Sequence, residues 1–432
     1  MTSTSDWERR KGNGTFTASL GLDIRHYNHI RDFSGKLLFD TNFFLTRWKE
    51  HFEDISNVEF PHPPIPPMDP IAGPVLPISK EEVATAVKRM KPGKATGPDD
   101  IAAEAWKACG DVGTAFLTRL FNRVLEEGRI PAEWRRSTTV PIWKRKGDPT
   151  ACITYRPIRL LAHTLKILER IIDLRIHQIA HINTAQCGFR PGTGTIDAIF
   201  AARQLIEKYR EKEQTVHSVF LDMEKAYDRV PRDVISHALR EHGVPEEYDR
   251  WTKLIYDGST SQVRTTCGDS RPFDIKVGLH QGSALLPLLF IICLDTVSRE
   301  LQRPHPWDLV YADDVMLSAT DSDTLEQLAQ KWKDQLARFG LRLNVDKTEY
   351  MASAHSVPPL NIAIDGSDIK TTTSFTYLGS RLSQDGSTLT DAKQRASAAW
   401  KKWRKTTGVL CDKKRSVKLK SKIYRSVIRL VT

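Results

Sequence analysis

The chain has 432 residues, 40% of them hydrophobic, which is enough material for two or three domains with buried cores. This composition excludes a largely disordered protein, and no apolar run is long enough to span a membrane. The polar start is not a secretion signal, and the six cysteines lack zinc-finger spacing, so we expect a non-secreted, intracellular protein with reduced thiols.

The net charge of +11 is concentrated at the carboxyl end of the chain. Residues 393–432 contain fourteen Lys or Arg and a single acid, Asp412, so the rest of the chain is slightly negative. Trp400, Trp403 and Tyr424 lie among these basic residues. Basic side chains interleaved with aromatic rings favour a nucleic-acid backbone, although a solvated helix face has the same composition.

The amino-terminal part predicts one helix and then a linker. Aromatic residues at helical spacing predict an amphipathic helix over Asp40–Phe52. Eight prolines between positions 61 and 77 predict an extended linker. Ser79 and Glu82 form a capping-box pattern, so a helix and a new domain are expected to begin there.

Strands and helices alternate over the remainder. Periodicity and breaker residues predict helices at 102–109, 114–127, 165–179, 231–242, 285–301 and 325–339, and strands at 153–158, 216–222, 361–364 and 374–378. A further pair of short apolar runs predicts a tight hairpin. This mixture favours an α+β arrangement over a doubly wound parallel sheet.

The turn of that hairpin is Tyr311-Ala312-Asp313-Asp314, which lies between the apolar runs 309–310 and 315–317. We expect Asp to adopt the unusual backbone angles that such a turn needs. Two carboxylates at a buried turn repel each other unless a cation such as Mg²⁺ or Mn²⁺ lies between them. From these residues alone, a hairpin cap and a metal site are equally good interpretations.

A third carboxylate, Asp222, ends the strand predicted at 216–222. If this strand and the one before Asp313 are neighbours in one sheet, their carboxylates converge. Two metal ions about 3.5–4 Å apart can then be held between them, an arrangement that serves in-line nucleotidyl transfer to a 3′-hydroxyl.

Eight short segments of this chain resemble motifs of the reverse transcriptases of non-LTR (LINE-type) retrotransposons, and they occur in the same order along the sequence. The resemblance runs from roughly residue 35 to 430 and rests on the segments Lys94–Asp99, Tyr155–Ile158, Gln186–Arg190, Phe220–Asp228, Gln281–Ser283, Tyr311–Asp314, Asn344–Thr348 and Tyr377–Gly379. It implies an α+β right-hand polymerase with fingers, palm and partial thumb, in which a mixed or antiparallel palm sheet is backed by helices.

The same resemblance implies RNA-directed DNA polymerase activity with two Mg²⁺ ions, for which Mn²⁺ can substitute. The partners would be a template RNA or DNA, a primer 3′-hydroxyl and dNTPs. The expected segments are a helical extension and linker at 1–78, fingers at 79–215, palm at 216–352, a primer-grip hairpin at 353–385 and a basic partial thumb at 386–432, with a reverse transcriptase domain at about 130–385.

Individual roles are also implied by the resemblance. Asp222 and Asp313 correspond to metal ligands, and Asp314 to either a third ligand or a hairpin-stabilising residue. Tyr227 corresponds to an aromatic ring under the incoming sugar that excludes a 2′-hydroxyl; the alternative is ordinary packing. Gln281 and Gly282 correspond to a loop that contacts the incoming nucleotide and the template, where Gly permits close backbone approach.

Three further assignments each keep a simpler alternative. Arg156 corresponds to a triphosphate contact or a structural ion pair. Lys347 corresponds to a proton donor near the leaving pyrophosphate or a solvated lysine. Tyr377, Leu378 and Gly379 correspond to a primer-grip turn or a plain hairpin.

The chain also departs from the family pattern. Leu286-Pro287 stands where the family has Ser-Pro, so we expect the preceding loop to be less well held. The chain is expected to lack the usual upstream endonuclease, which would then have to come from elsewhere, and to be a fragment with an incomplete thumb.

Two other functions are compatible with parts of this pattern. A catalytically weak nucleic-acid-binding relic is favoured by Leu286 and by the expected truncation. An RNA-dependent RNA polymerase is disfavoured by Tyr227, because that enzyme must accept a 2′-hydroxyl. The family implies a nuclear or cytoplasmic ribonucleoprotein, with no membrane partner.

Overall fold

The structure is a computed structural model that describes residues 29–353 and 361–429. Parts of three predicted segments lie outside the described residues. These are positions 1–28 of the amino-terminal extension, 354–360 of the primer-grip segment and 430–432 of the partial thumb.

The described residues form helices and strands in alternation. The α-helices are α1 (Thr41–Asn57), α2 (Lys80–Arg89), α3 (Ala103–Ala108), α4 (Gly110–Glu127), α5 (Ala132–Arg135), α6 (His163–Ile179), α7 (Thr195–Glu211), α8 (Arg232–Glu241), α9 (Glu246–Tyr256), α10 (Leu286–Ser298), α11 (Ser322–Arg338), α12 (Leu389–Leu410) and α13 (Val417–Ile423). Short 3₁₀ turns cover Cys152–Thr154, Ala226–Asp228 and Val345–Lys347, and a π-helical turn covers Tyr424–Ile428.

The strands are mostly short. They are β1 (Ile30–Arg31), β2 (Leu37–Leu38), β3 (Arg136–Trp143), β4 (Tyr155–Leu160), β5 (Val216–Leu221), β6 (Thr260–Thr265), β7 (Gly268–Asp269), β8 (Phe273–Asp274), β9 (Asp308–Tyr311), β10 (Asp314–Ala319), β11 (Glu349–Ser353), β12 (Ala363–Ile364), β13 (Ser367–Asp368), β14 (Lys370–Thr371), β15 (Ser374–Tyr377) and β16 (Ser380–Ser383). The α+β class predicted from the sequence is therefore confirmed.

The chain divides into two compact units that are discontinuous in sequence. Of the described residues, unit one comprises 29–183, 224–299 and 335–342, and unit two comprises 184–223, 300–334, 343–353 and 361–429. Contacts in space therefore cross the linear boundaries expected for fingers and palm, and the assignment of those names to residue ranges stays a prediction.

Unit two is built on a five-stranded sheet with the strand order β14-β11-β5-β10-β9. All neighbours in it are antiparallel except β11 and β14, so the sheet is mixed, as expected. One of its faces packs on α7 through a buried cluster that includes Phe220, Met316, Met351, Ala202 and Leu205. This core fixes β5 and β10, the strands that carry the acidic residues.

Unit one contains a second five-stranded sheet, in which β4, β3, β6 and β7 are neighbours and β8 also pairs with β6. Helix α1 covers a core cluster there through Trp48 and Phe52, together with Tyr155 of β4 and Val263 of β6. The predicted helix over Asp40–Phe52 is confirmed and continues to Asn57.

Local sequence signals account for where several helices begin and end. Asp40 accepts hydrogen bonds from the backbone N–H groups of Asn42 and Phe43 at the start of α1. Ser79 and Glu82 form the complete capping box predicted for α2. Helix α8 ends before Gly243, which has the left-handed conformation (φ 71°) expected of a residue after a helix.

The proline-rich segment has no helix or strand, as expected, but it is not a free linker. His237 contacts the carbonyl oxygen of Pro66 at 3.1 Å, and Arg240 donates to that of Met68 at 3.1 Å. The N–H of Glu246 donates to the carbonyl of Ile71 at 2.8 Å. The segment is therefore packed along α8 and the start of α9 within unit one.

Helix α10 is the most apolar of the described helices, and nearly all of its residues are buried. Burial in the protein core therefore explains why this helix is so apolar. Across residues 29–353 and 361–429, the structure contains no helix with the length and hydrophobicity needed to cross a membrane.

Candidate active site

Strand pairing brings the three predicted carboxylates to one end of the unit-two sheet. Strands β5 and β10 are antiparallel neighbours, and Val315 lies opposite Leu221. Asp222 follows Leu221 directly, and Asp314 precedes Val315 directly. The predicted neighbouring strands are confirmed, and their acidic residues meet at the same sheet end.

The hairpin between β9 and β10 has a two-residue turn. Tyr311 pairs with Asp314, so Ala312 and Asp313 form the turn itself. The left-handed conformation falls on Ala312, with a φ of 53°. The expectation that an Asp takes the unusual backbone angles is therefore wrong. A residue with a Cβ is disfavoured in this conformation by about 1–2 kcal/mol, so the surroundings must hold the turn in place.

The three carboxylates are electrostatic neighbours. Desolvation, together with the negative charges of Asp313 and Asp222, raises the pKa of Asp314 to about 6. Desolvation is the largest cause, because the strands remove water from one side of a carboxyl group that is otherwise open to solvent. The three carboxyl groups therefore share one electrostatic environment at this sheet end.

Lys347 provides a positive charge at the same place. Its Nζ lies 3.6 Å from a carboxylate oxygen of Asp222, and both side chains are partly exposed. Lys347 belongs to the 3₁₀ turn that precedes β11, the other neighbour of β5. The structure thus brings this predicted residue to the carboxylates. A solvent-exposed pair of this kind is labile, so the lysine can exchange partners.

The donor set fits a hard divalent ion that is shared with a substrate. Within the described residues, no three or more His, Cys, Asp or Glu side chains are grouped so as to hold a metal ion by themselves. Mg²⁺ in enzymes of nucleotide chemistry is usually held by one or two carboxylates plus phosphate oxygens and water rather than by a protein cage. Asp222 and Asp313 can supply such a pair.

The other predicted nucleotide-site residues lie in unit one. The ring of Tyr227 packs on Phe290 of α10, with ring centroids 4.6 Å apart, and the residue is half-buried. Arg156 is exposed on β4, where it pairs with Ile142 of β3.

Gln281 and Gly282 lie on a loop that is tightly bound to β4. The N–H of Arg159 donates to the carbonyl of Gln281 at 2.6 Å, and the Gln281 amide donates to buried Asp228 at 2.8 Å. Gly282 has a φ of 128°, and a Cβ there would collide with the carbonyl oxygen of Arg159. Gly282 therefore does permit a close backbone approach, and the partner in this structure is β4.

The loop before α10 is better held than the sequence suggests. Helix α10 begins at Leu286 and lacks a side-chain cap, because its N-cap residue is Leu285. However, Glu169 of α6 accepts hydrogen bonds from the Ser283 hydroxyl and the Ala284 N–H, both at 2.8 Å. Burial raises the pKa of Glu169 to about 6. The expectation of a loosely held loop is wrong, because Glu169 compensates from another helix.

The predicted primer-grip turn is a tight hairpin between β15 and β16. Leu378 and Gly379 both have positive φ, 49° and 85°, as in a type I′ turn. Tyr377 is only 2% exposed, and it packs against Phe220 in the sheet core. Leu378 is half-buried and Gly379 is exposed at the tip of this hairpin, whereas the Tyr377 ring supports the turn from within.

Three buried polar residues that hold parts of the candidate site in place were not predicted from the sequence. They are Gln186, Asp228 and Glu169, which bind the acidic turn, the Gln281 side chain and the loop before α10, respectively. Gln186 and Asp228 lie inside segments that carry the family resemblance, and that position was the available signal. Nothing in the sequence around Glu169 marks it as the anchor of a loop more than 110 residues away.

Comparison with known proteins decides the family. Residues 143–382 match the family described as "Reverse transcriptase (RNA-dependent DNA polymerase)", which is more than half of the chain. The chain belongs to the reverse transcriptase family. The matched range includes Asp222, Asp313 and Asp314.

This reverse transcriptase is similar to proteins of non-LTR retrotransposons, as the ordered segments predicted. It is 28% identical over 301 residues to the Pol polyprotein of retrotransposable element R2 from Nasonia vitripennis, covering 67% of this chain and 28% of the relative. It is 26% identical over 326 residues to the RNA-directed DNA polymerase of mobile element jockey from Drosophila funebris, covering 72% and 35%. The chain thus spans about a third of the length of the curated relatives it matches.

Among solved structures, the reverse transcriptase is similar to telomerase from Candida Tropicalis in complex with a fragment of telomeric RNA. The TM-score is 0.42 with 14% sequence identity, and the match covers 66% of this chain and 48% of that chain.

Proposed function

We propose that this reverse transcriptase is an active RNA-directed DNA polymerase of a non-LTR retrotransposon. The observation that supports the proposal most is the convergence of Asp222, Asp313 and Asp314 at one end of neighbouring strands β5 and β10. Two of these carboxylates raise the pKa of the third, Asp314, and acidic groups this close together are the kind of cluster that two-metal nucleotidyl transfer requires.

Asp222 and Asp313 would hold two Mg²⁺ ions, or Mn²⁺ in their place, and Asp314 would support them. When bound, the ions would supply activation of the primer 3′-hydroxyl and neutralisation of the triphosphate. Lys347, which contacts Asp222 at 3.6 Å, would turn toward the leaving pyrophosphate, where an ammonium group can donate a proton.

The residues of unit one would recognise the nucleotide. Exposed Arg156 would bind triphosphate oxygens, for which a guanidinium group is suited. Tyr227, fixed on Phe290, would exclude a 2′-hydroxyl and so select dNTPs. Gln281 and Gly282 would contact the nucleotide and template from a loop that β4 and Asp228 hold in place.

The basic carboxyl-terminal segment would bind the nucleic-acid backbone. Helix α12 carries Lys401, Lys402 and Lys405 as exposed side chains, and Trp400 is 63% exposed. Its apolar side, with Trp403, packs in a small cluster with residues of the following helical turns. This leaves the basic side of α12 open for phosphates. The setting would be an intracellular ribonucleoprotein.

Primer extension tests the proposal. The purified chain is given poly(rA) annealed to oligo(dT), dTTP and either Mg²⁺ or Mn²⁺, and incorporation is followed with time. We expect metal-dependent incorporation that stops when EDTA is added. A chain that binds the duplex with strong salt dependence yet incorporates nothing would instead be the nucleic-acid-binding relic.

A further inference from the structure

Gln186 is a buried residue of unit two whose side chain contacts the acidic turn. It is 1% exposed, and its amide oxygen accepts two backbone hydrogen bonds. One comes from the N–H of Ala312 at 3.0 Å and the other from the N–H of Gly188 at 2.9 Å. Both donors are buried, so removal of the amide oxygen would cost each of them a hydrogen bond that water cannot readily replace.

Ala312 needs such a restraint. It is 2% exposed and has a φ of 53°, a backbone conformation that residues with a Cβ rarely adopt. A strained residue of this kind persists only where its surroundings fix it. The next residue in the chain is Asp313, so any relaxation of Ala312 moves the carboxylate that follows it.

The backbone around Gln186 is itself held against β9. Gln186 forms a parallel bridge with Val310, the N–H of Val310 donates to Ala185 at 3.0 Å, and the N–H of Cys187 donates to Val310 at 2.7 Å. At Gly188 a Cβ would lie 2.7 Å from the nitrogen of Ala312, so only glycine allows this approach. The segment is therefore built to bring the Gln186 amide to the turn.

We propose that Gln186 is a positioning residue that holds Ala312 in its left-handed conformation and thereby fixes the carboxylates of Asp313 and Asp314. The inference rests on the proposed polymerase function, because the turn affects the reaction only through its aspartates. Gln186 acts through the backbone of the turn and not on the substrate.

The test replaces Gln186 by Met, which has a similar length and no strong acceptor oxygen. Affinity for Mn²⁺ is measured on the purified chain by electron paramagnetic resonance, which needs no turnover, and kcat and the dTTP KM are measured by primer extension. For Gln186→Met we expect Mn²⁺ binding weakened about tenfold and kcat lowered at least about tenfold, with KM within about threefold, since misplaced catalytic groups lower turnover steeply.

A rescue variant and a control separate positioning from general stability. Ala312→Gly in the Gln186→Met background should restore Mn²⁺ affinity and kcat, because glycine adopts the left-handed conformation without help. Ser218→Ala removes the 3.0 Å contact between Ser218 and Ser318, which joins β5 to β10 away from the turn. It should lower the melting temperature and leave Mn²⁺ affinity unchanged. If Gln186→Met does not fold, Gln186→Asn, whose shorter side chain cannot reach Ala312, carries the same expectation.

Unchanged Mn²⁺ affinity and kcat in Gln186→Met would overturn the inference, and so would an equal loss of Mn²⁺ affinity in Ser218→Ala. Failure of the unmodified chain to incorporate dTTP would overturn the proposed function alone. In that case the Mn²⁺ titration and its rescue by Ala312→Gly still decide whether Gln186 positions the turn.

Discussion

Asp222, Asp313 and Asp314 share one electrostatic environment, yet their backbone settings differ. Asp313 occupies the turn beside a strained Ala312, whereas Asp314 is the first residue of β10. The residue types of the turn were predictable, because two acids between apolar runs indicate a buried hairpin. Which residue takes the left-handed conformation was not, because it depends on Gln186, a residue 126 positions away in the chain.

The raised pKa of Asp314 predicts a pH-dependent stability. In metal-free buffer with EDTA, the folded chain holds a proton on Asp314 up to about pH 6, whereas an unfolded Asp loses it near pH 4. The stabilising contribution is therefore complete below pH 4 and is lost as the pH rises through about 6. Urea unfolding should show the unmodified chain losing stability relative to Asp314→Asn across this range. Parallel pH profiles for the two proteins would contradict the shared environment.

Tyr227 makes a prediction about sugar selection. Removing its ring in Tyr227→Ala should increase use of ribonucleotides relative to dNTPs by about tenfold, because a small steric contact discriminates by roughly 1–3 kcal/mol. Tyr227→Phe keeps the ring against Phe290 and should retain the selectivity. The measurement is the ratio of kcat/KM for UTP and dTTP, and an unchanged ratio in Tyr227→Ala would leave Tyr227 as a packing residue only.

At the scale of elements, five of the thirteen α-helices in the described residues were not predicted, namely α5, α7, α9, α12 and α13. Periodicity and capping signals predicted the other eight, because most of them bury one apolar stripe against a sheet or another helix. Helix α1 and the capping box of α2 are examples. The sequence did not predict contacts in which the stabilising partner lies far away along the chain. The proline-rich segment is packed because α8 supplies donors to its carbonyl groups, and the loop before α10 is held by Glu169.

Helix α12 makes a prediction about salt dependence. Replacing its exposed residues Lys401, Lys402 and Lys405 by Gln removes three charges from the open side of the helix. The slope of log K against log salt for binding to an RNA–DNA duplex should fall by about one for each phosphate that the variant no longer neutralises. The exposed Lys331 of α11 offers a control, since Lys331→Gln should leave the slope unchanged. An unchanged slope in the triple variant would place nucleic-acid binding elsewhere.

At the scale of the whole molecule, the order of eight short segments along the sequence predicted the family, and the match over residues 143–382 confirmed it. The α+β class followed from alternating strands and helices. The division into two units did not, because each unit is assembled from three separate stretches of chain. Such long-range grouping is a property of packing and has no local sequence signal.

Whether Asp313 belongs to a polymerase centre can be tested by comparing a variant at Asp313 with a matched control. RNA-templated dTTP incorporation is measured for the unmodified chain, for Asp313→Asn and for Asp323→Asn, which removes an equal charge from the start of α11. We predict that Asp313→Asn lowers kcat at least about a hundredfold, since it removes a carboxylate needed for metal-assisted transfer, and that Asp323→Asn does not. Equal activity of Asp313→Asn and the unmodified chain would contradict the account.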